Sequence, residues 1–250
     1  MQRTVFITGA TSGIGMATAR KLAPNFRLIL CGRRQERLDD LMKELGEITD
    51  VVTLNFDVRE KSAVFSAVEQ LSDEWKKIDV LVNNAGNAHG LATFDEADIE
   101  DLEAMIDINV KGLIYVSKAV IPYLKLSENP HIFNISSIAG KEVYPLGATY
   151  CASKAAVESL SKGMRYDLLP YGIKVTNIAP GAVETEFSEV RFKGDSERAK
   201  QVYAGFEALV ADDIAAAIDY ALQQPGHVQI ADLTIFPKAQ AGGTVIYKTL

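Results

Sequence analysis

The segment YCASK, from Tyr150 to Lys154, contains a tyrosine and a lysine whose spacing could support acid–base chemistry. Four residues make about one helical turn, so both side chains would lie on the same face of a helix. A free tyrosine has a pKa of about 10, and a lysine ammonium held beside it would favour the phenolate and lower that pKa. The composition alone predicts roughly 0.6 such pairs by chance. The pair is therefore informative only if other residues complete a site around it.

The elements that must position this pair follow the pattern of a doubly wound α/β fold. Short, continuously apolar runs alternate with longer segments of helical periodicity, as buried parallel strands and their crossover helices require. The predicted strands are 4–8, 27–31, 51–55, 80–83, 131–135, 174–178 and 228–235, and the predicted helices are 14–23, 35–45, 61–76, 98–126 with a break near Asp107, 150–169 and 211–223. They predict an α/β, single-domain, doubly wound (Rossmann) fold over residues 1–250, with a seven-stranded parallel sheet and helices on both faces. Ligands bind outside the carboxyl ends of the strands in such sheets.

The composition argues against several classes of function. The chain has 250 residues and a net charge of −7, whereas a nucleic-acid surface needs clustered basic residues. The sequence has no apolar run near the ~18 residues of a membrane span, and its first residues lack the features of a signal peptide. Two cysteines and three histidines offer neither a disulfide framework nor metal-ligand spacing. We therefore expect a cytoplasmic protein without a nucleic-acid, membrane or metal partner.

Three glycines lie where the first predicted strand turns into the first predicted helix, in the segment TGATSGIG. Glycines let the backbone turn tightly and approach a pyrophosphate, whose charge is stabilised by the free N–H groups of a helix N-terminus. The alternative is a tight turn that binds no ligand. The cofactor-binding candidates from this turn are Gly9, Thr11, Ser12, Gly13, Ile14 and Gly15.

Two arginines follow the second predicted strand, in CGRR. An enzyme that binds the ribose 2′-hydroxyl of NAD would need an acidic residue there, whereas Arg33 and Arg34 offer guanidinium forks to a 2′-phosphate. These residues indicate NADP, with a solvated helix start as the alternative. After the third strand, the Asp57 carboxylate could accept a hydrogen bond from the adenine amino group and Val58 could offer its backbone. Asp57 could equally be the N-cap of the next helix.

Small and amide residues follow the fourth and fifth predicted strands. In NNAG, we expect Asn83, Ala85 and Gly86 to form a floor beneath the cofactor, with a structural turn as the alternative. Asn109 lies within a predicted helix, where asparagine is unfavourable and competes with the backbone, so it could hold a kink and a water. Ser137 lies just after the fifth strand, where its hydroxyl could bind a substrate carbonyl.

The order and spacing of these motifs resemble the short-chain dehydrogenase/reductase family, from about Thr4 to Phe236. The resemblance rests on TGATSGIG, NNAG, Asn109, Ser137, Tyr150 with Lys154, and the Pro180–Gly181 pair. The segments CGRRQERL and TEFSEVRFKGD are most similar to the branch of NADP-dependent 3-hydroxy acid dehydrogenases, also described as serine or L-allo-threonine dehydrogenases. One departure is Ser12, which stands where the family usually has a first basic residue.

The resemblance implies that Asn109, Ser137, Tyr150 and Lys154 are the catalytic residues. Tyr150 would exchange a proton with the substrate oxygen, which Ser137 would orient. Lys154 would lower the pKa of the phenol and hold the nicotinamide ribose, and Asn109 would support a water relay. Further cofactor-binding residues would be Tyr150 and Lys154 themselves, with Pro180, Gly181, Val183 and Thr185. The family also implies a homotetramer.

The least regular segment of the chain, 180–197, is predicted as a long loop, and a lid is predicted at about 182–208. Substrate choice is expected to depend on residues 182–195 of this lid. Arg191 or Lys193 could bind a substrate carboxylate, or could pair with Glu189 or Asp195 to close the lid. The predicted substrate-binding residues are Ser137, Tyr150 and Arg191.

The activity most consistent with these residues is NADP-dependent hydride transfer to or from a 3-hydroxy acid such as L-serine, L-allo-threonine or 3-hydroxyisobutyrate. The alternatives are a carbonyl or 3-oxoacyl reductase of the same family and a non-catalytic NADP-binding regulator. The tail at 237–250 has no helical period, and either packs across a subunit boundary or frays.

Overall fold

A seven-stranded parallel sheet forms the centre of the protein, described over residues 2–249 by a computed structural model. The strands of the structure are β1 (Arg3–Thr8), β2 (Phe26–Gly32), β3 (Val51–Asn55), β4 (Val80–Asn83), β5 (His131–Ile135), β6 (Lys174–Pro180), β7 (Val183–Glu184), β8 (Leu209–Val210) and β9 (Asp232–Ile235). The large sheet has the order β3-β2-β1-β4-β5-β6-β9, and all its pairs are parallel. This topology confirms the predicted doubly wound fold.

Helices cover both faces of this sheet, as predicted. They are α1 (Gly13–Leu22), α2 (Gln35–Leu45), α3 (Lys61–Glu69), α4 (Ile99–Ile106), α5 (Leu113–Leu124), α6 (Ala148–Asp167), α7 (Phe187–Arg191), α8 (Ser196–Tyr203) and α9 (Ala211–Leu222). Successive residues of a strand point to opposite faces, so Val5 and Ile7 pack in one hydrophobic core and Phe6 packs in the other. Burial on both faces explains why the strands read as continuous apolar runs.

The order of the strands places the cleft. From β1 the chain adds β2 and β3 on one side, then crosses back to place β4 on the other side of β1. The turns that leave β1 and β4 therefore diverge at the carboxyl edge, and ligands bind at such a switch point.

Some element boundaries differ from the sequence prediction. The predicted helix at 61–76 ends at Glu69, because Ser72 accepts turn hydrogen bonds from Trp75 and Lys76 instead of continuing it. The last strand of the sheet begins at Asp232 rather than at residue 228. The break near Asp107 is a π-helical segment, Asp107–Gly112.

The predicted loop at 180–197 is wrong, because it contains β7, α7 and the start of α8. Strand β7 pairs in parallel with β8 in a separate two-stranded sheet. We call residues 182–208 the lid.

Within the described part of the chain, no helix is both long and apolar enough to cross a membrane.

Candidate active site

A cleft of about 600 Å³ opens at the carboxyl edge of the sheet. Its walls come from the turns after β1 to β6, from the start of α6, from the lid and from the C-terminal tail. Most of the predicted site residues line it: Gly9, Thr11, Ser12, Gly13, Ile14, Arg33, Arg34, Asp57, Val58, Ala85, Gly86, Ser137, Tyr150, Lys154, Pro180, Gly181, Val183, Thr185 and Arg191. The predicted residues Asn83, Gly15 and Asn109 lie outside these walls.

Helix α6 brings Tyr150 and Lys154 into the cleft one turn apart, and both side chains are buried. Lys154 Nζ donates a hydrogen bond of 2.9 Å to the carbonyl of Ile135, the last residue of β5. The same Nζ lies 6.0 Å from the centre of the Tyr150 ring. The lysine is therefore fixed to the sheet edge rather than to the phenol.

The electrostatic surroundings of Tyr150 differ from the sequence expectation. Burial raises the pKa of the phenol above its ordinary value, and Tyr144 raises it further, whereas Ser137 and the Arg191 guanidinium lower it. Burial also lowers the pKa of Lys154 to about 8. Arg191 is therefore a cation that lowers the phenol's pKa, and the expected effect of Lys154 on that pKa stays a prediction.

Two serines follow β5 and have different roles. The Ser137 oxygen accepts a hydrogen bond of 3.2 Å from the N–H of Ala139, which caps a 3₁₀ turn, Ile138–Gly140. Its hydroxyl also faces the Tyr150 phenol and lowers the phenol's pKa by hydrogen bonding, so a substrate oxygen would take over this donor. Ser136 instead donates to the carbonyl of Lys154 at 3.2 Å and supports the backbone of α6.

The buried amide of Asn109 lies behind the cleft, in the π-helical segment. Its Oδ1 accepts from the N–H of Asn87 at 2.9 Å, and its Nδ2 donates to the carbonyl of Asn87 at 2.8 Å and to Ser153 Oγ at 2.9 Å. A Cβ at Gly86 would come within 2.8 Å of Asn109 Oδ1 and 3.2 Å of Lys154 Nζ. Asn109 therefore holds the turn after β4 against α6, and the π-helical segment lets its side chain reach that turn.

The glycine turn after β1 has the features of a phosphate cradle. Gly9 and Gly13 have φ angles of +64° and +49°, which favour glycine. Ser12, the N-cap of α1, makes no side-chain capping hydrogen bond, and the first turn contains no acidic residue. The first N–H groups of α1 therefore remain available to an anion, and the cradle fits a dinucleotide pyrophosphate.

Gly15 corrects the prediction made from the glycine motif. A Cβ at Gly15 would lie 2.3 Å from the carbonyl oxygen of Gly9 and 2.4 Å from Asn84 Nδ2. Its glycine is required for the close packing of α1 on this turn, and it does not line the cleft.

Asn83 is a second correction. Its amide is buried and donates to Ser117 Oγ and Asn134 Oδ1, both at 2.9 Å, so it holds β4 to its neighbours. The next residue, Asn84, lines the cleft and donates to the carbonyls of Thr8 and Gly9. Side chains alternate along an extended strand, so adjacent asparagines face opposite sides.

The carboxylate of Asp57 is held by arginines. It accepts from the N–H and side chain of Arg59 at 2.7 to 3.0 Å and from Arg33 Nη1 at 3.1 Å. Burial alone would raise its pKa, but these hydrogen bonds and charges prevail and lower the pKa to about 2. The N-cap of α3 is Glu60, so the capping alternative for Asp57 is wrong.

The lid places Arg191 beside Tyr150. Its Nε donates to the carbonyl of Gly90 and its Nη1 to the Tyr144 hydroxyl, both at 3.2 Å. Its guanidinium carbon lies 5.6 Å from the centre of the Tyr150 ring. Lys193 instead pairs with Asp101 at 2.9 Å on the surface, so its predicted pairing within the loop does not form.

Sequence reasoning missed several residues of the cleft, among them Tyr144, Phe187 and Gln240. Tyr144 carries a signal in hindsight, since it is a hydroxyl-bearing aromatic in the irregular segment before α6. Gln240 Oε1 accepts from the N–H of Ala182 at 2.8 Å, so the tail folds onto the base of the lid in the same chain rather than fraying.

The fold and the cleft together define a class of protein, the α/β proteins that bind a dinucleotide at the switch point of a parallel sheet. A family model described as short chain dehydrogenase matches residues 3–196. The chain belongs to this family, which confirms the resemblance seen in the sequence.

Relatives within the family are similar over nearly their whole length. An NADP-dependent 3-hydroxy acid dehydrogenase of Salmonella typhimurium is 44% identical over 95% of this chain and 96% of its own. Sulfoacetaldehyde reductase 2 of Chromohalobacter salexigens is 41% identical, with 96% of each chain covered. Among solved structures, the closed form of a serine dehydrogenase complexed with NADP⁺ has a TM-score of 0.92 at 40% identity and covers 99% of this chain and 100% of that one.

Proposed function

We propose that the protein is an NADP-dependent dehydrogenase that transfers hydride between the nicotinamide and a short 3-hydroxy acid such as L-serine, L-allo-threonine or 3-hydroxyisobutyrate, or reduces the corresponding carbonyl compound. The observation that carries this proposal is the convergence of three groups in one cleft. Ser137 and Tyr150 supply the proton chemistry of an alcohol, and the Arg191 guanidinium beside them supplies a site for an anion.

The polar groups left free on these residues support the roles. Arg191 commits Nε and one Nη1 proton to Gly90 and Tyr144, which leaves Nη2 and the second Nη1 proton for a substrate carboxylate. In a 3-hydroxy acid held there, the hydroxyl-bearing carbon would be two bonds from the carboxylate carbon. A guanidinium suits this task because its planar fork matches a carboxylate.

Each residue then has one task in the oxidation of the alcohol. Ser137 orients the substrate oxygen, and Tyr150, as phenolate, accepts the proton of the hydroxyl; in reduction it donates that proton back. Arg191 stabilises the phenolate as well as the carboxylate. Bound NADP supplies the hydride acceptor. Lys154 would hold the nicotinamide ribose, and Asn109 keeps the turn of Gly86 in place behind it.

NADP is favoured by charge at the adenosine end of the cleft. Arg33 and Arg34 follow β2 where an NAD enzyme would carry an acidic residue, and two of the relatives are named for NADP. Val58, at the same end, offers a backbone contact for the adenine. Thr185 lies next to Gly13, since a Cβ there would be 3.4 Å from the threonine Cβ, and it would contact the nicotinamide side of the cofactor.

A steady-state panel tests the proposal. L-Serine, L-allo-threonine, 3-hydroxyisobutyrate and a neutral secondary alcohol would each be oxidised with NADP and with NAD, and sulfoacetaldehyde would be reduced with NADPH. We expect the highest kcat/KM for a carboxylate substrate with NADP. Turnover of the neutral alcohol equal to that of every acid, or a preference for NAD, would contradict it. Binding of NADPH without any turnover would favour a regulator.

We also propose that residues 1–250 act as one catalytic domain, and that four copies assemble in the cytoplasm. Family membership supports the assembly. Light scattering of the purified protein should give about four times the 27.2 kDa chain mass, and a monomer would contradict this.

A further inference from the structure

An acidic residue of the lid reaches the turn that carries the two arginines after β2. The carboxylate of Glu186, the N-cap of α7, accepts hydrogen bonds from Arg34 Nη1 at 3.0 Å and from Arg37 Nη1 at 2.7 and 3.0 Å. Glu186 and Arg34 are 152 residues apart in the chain. This cluster, which we call the clasp, therefore joins the lid to the far side of the cleft.

The two neighbouring arginines differ in how their nitrogens are used. Every nitrogen of the Arg34 guanidinium is engaged: Nε and Nη2 contact Thr11, Nη2 also contacts Ser12 Oγ at 2.7 Å, and Nη1 contacts Glu186. Arg33 donates one hydrogen bond, to Asp57, and its side chain is 55% exposed. Asp57 would keep its Arg59 partners if Arg33 turned away. Arg33 is therefore the arginine with donors to spare for a phosphate.

The negative charge of Glu186 also favours Arg33 over Arg34 as the residue that binds the 2′-phosphate. If Arg34 took a 2′-phosphate, the phosphate would lie next to the Glu186 carboxylate, and repulsion would push the lid away as the cofactor bound. With the phosphate on Arg33, the clasp stays closed over the dinucleotide. The side chains of Thr11 and Ser12, which belong to the glycine turn, are meanwhile held by Arg34.

We propose that Arg33 alone selects the 2′-phosphate, and that Glu186, with Arg34 and Arg37, is a positioning residue that fastens the lid over either dinucleotide. The inference deepens the proposed function and rests on it, since it assumes that the cleft binds NADP. It predicts that two adjacent arginines have separable effects on the affinity and on the selectivity of cofactor binding.

Fluorescence titration of the full chain with NADPH and with NADH tests this prediction through two dissociation constants. In each of E186Q, R37A and R34A, both Kd values should rise by a common factor, about two- to fivefold for an exposed ion-pair cluster, so that their ratio stays unchanged. The double variant E186Q/R37A should lose no more than E186Q alone, because Arg37 acts through Glu186. R33A should raise the Kd of NADPH more than tenfold and leave that of NADH unchanged.

A matched control is the ion pair of Arg20 with Glu44, which is also bidentate and half-exposed and lies outside the cleft walls. E44Q should change neither Kd value. Limited trypsin digestion gives a second readout without cofactor, because the lid contains Arg191, Lys193, Arg198 and Lys200. The lid should be cut faster in E186Q than in E44Q, with both variants melting within a degree or two of the wild type.

Three results would overturn the clasp. They are tighter NADPH binding by E186Q, a loss of selectivity in R34A equal to that in R33A, and lid cleavage in E186Q no faster than in E44Q. Failure of the proposed function looks different, because the wild-type chain would then bind neither dinucleotide. In that case the rates of lid cleavage in E186Q and E44Q, measured without cofactor, would still test whether the clasp holds the lid.

Discussion

Replacing Arg191 with alanine tests the proposed substrate class most directly, because the guanidinium has two separable effects. In the proposed function it offers Nη2 and the second Nη1 proton to a substrate carboxylate. Its guanidinium carbon also lies 5.6 Å from the centre of the Tyr150 ring, where its charge lowers the phenol's pKa. An acid would lose both effects in R191A, whereas a neutral alcohol would lose only the second. The two substrates therefore separate the two roles.

The size of each loss follows from the surroundings of Arg191, which is half-buried. A hydrogen-bonded charge pair contributes about 1.5–3 kcal/mol per bond, and partial exposure reduces a forked pair to about 2–3 kcal/mol in total. That corresponds to a fall of about 30- to 150-fold in kcat/KM for a carboxylate substrate. Loss of the charge near Tyr150 should also raise the phenol's pKa, since the Arg191 guanidinium lowers it.

The assay is the pH profile of kcat/KM for NADP-linked oxidation of a 3-hydroxy acid and of a neutral secondary alcohol. Oxidation needs the phenolate, so each rate rises with pH to a plateau. The plateau would come within reach because the positive charge of bound NADP⁺ would counter the burial that raises the phenol's pKa. In R191A the neutral alcohol should show a profile moved to higher pH with a similar plateau, while the acid should also lose its plateau. R191K, which keeps the charge without the fork, should keep the profile and recover part of the plateau. An equal loss of plateau for both substrates would refute the reasoning.

Three further predictions concern residues around the cofactor cradle. K154M should abolish turnover, yet it should melt at a higher temperature than the wild type at pH 7, because burial disfavours the charged lysine and lowers its pKa to about 8. The difference in melting temperature should shrink as the pH rises toward 10.5, and equal melting temperatures at pH 7 would contradict the prediction. G15A should weaken dinucleotide binding and stability together, since a Cβ would lie 2.3 Å from Gly9 O; unchanged melting in calorimetry would refute the packing role. D57N should destabilise the protein by about 1 kcal/mol at pH 7 after solvent screening. This loss of stability should vanish as the pH falls from about 4 to about 2, through the lowered pKa of Asp57. Equal denaturation midpoints for D57N and the wild type at pH 7 would contradict the prediction.

The sheet was predictable because its strands are buried on both faces and separated by helices of ordinary length. Asn109 likewise marked the break near Asp107, since an asparagine inside a helix signals competition with the backbone. The lid was not predictable, because α7 has five residues and α8 has eight, too few for a periodic pattern. Between them, Lys193 and Gly194 have φ angles of +52° and +93°, so the sequence there indicates only a turn.

Site residues were harder to assign in motifs whose side chains point partly into the cleft and partly away from it. Asn83 and Gly15 belong to motifs that line the cleft, yet the sheet uses the first as a hydrogen-bond tie and the second for close packing. The motif fixes which turn is near the ligand, but the direction of each side chain depends on the local backbone. The partner of Arg34 could not be predicted from the sequence, because Glu186 is 152 residues away in the chain and only the folded lid brings the two side chains together.

In these proposals the lid takes part both in cofactor binding, through Glu186, and in substrate recognition, through Arg191. Tyr150 and Lys154 are fixed by α6, and Ser137 is fixed by the edge of β5. In the proposed function these three residues carry out the chemistry without selecting a substrate. Helix α7 has Glu186 as its N-cap and Arg191 as its last residue. Five residues of helix are about 7.5 Å long, and such a short segment moves as one body. If Glu186 fastens the lid to Arg34 and Arg37, the same contact sets the position of Arg191 beside Tyr150. Release of the clasp should then weaken carboxylate recognition as well as cofactor binding, so E186Q should raise KM for a 3-hydroxy acid more than for a neutral alcohol.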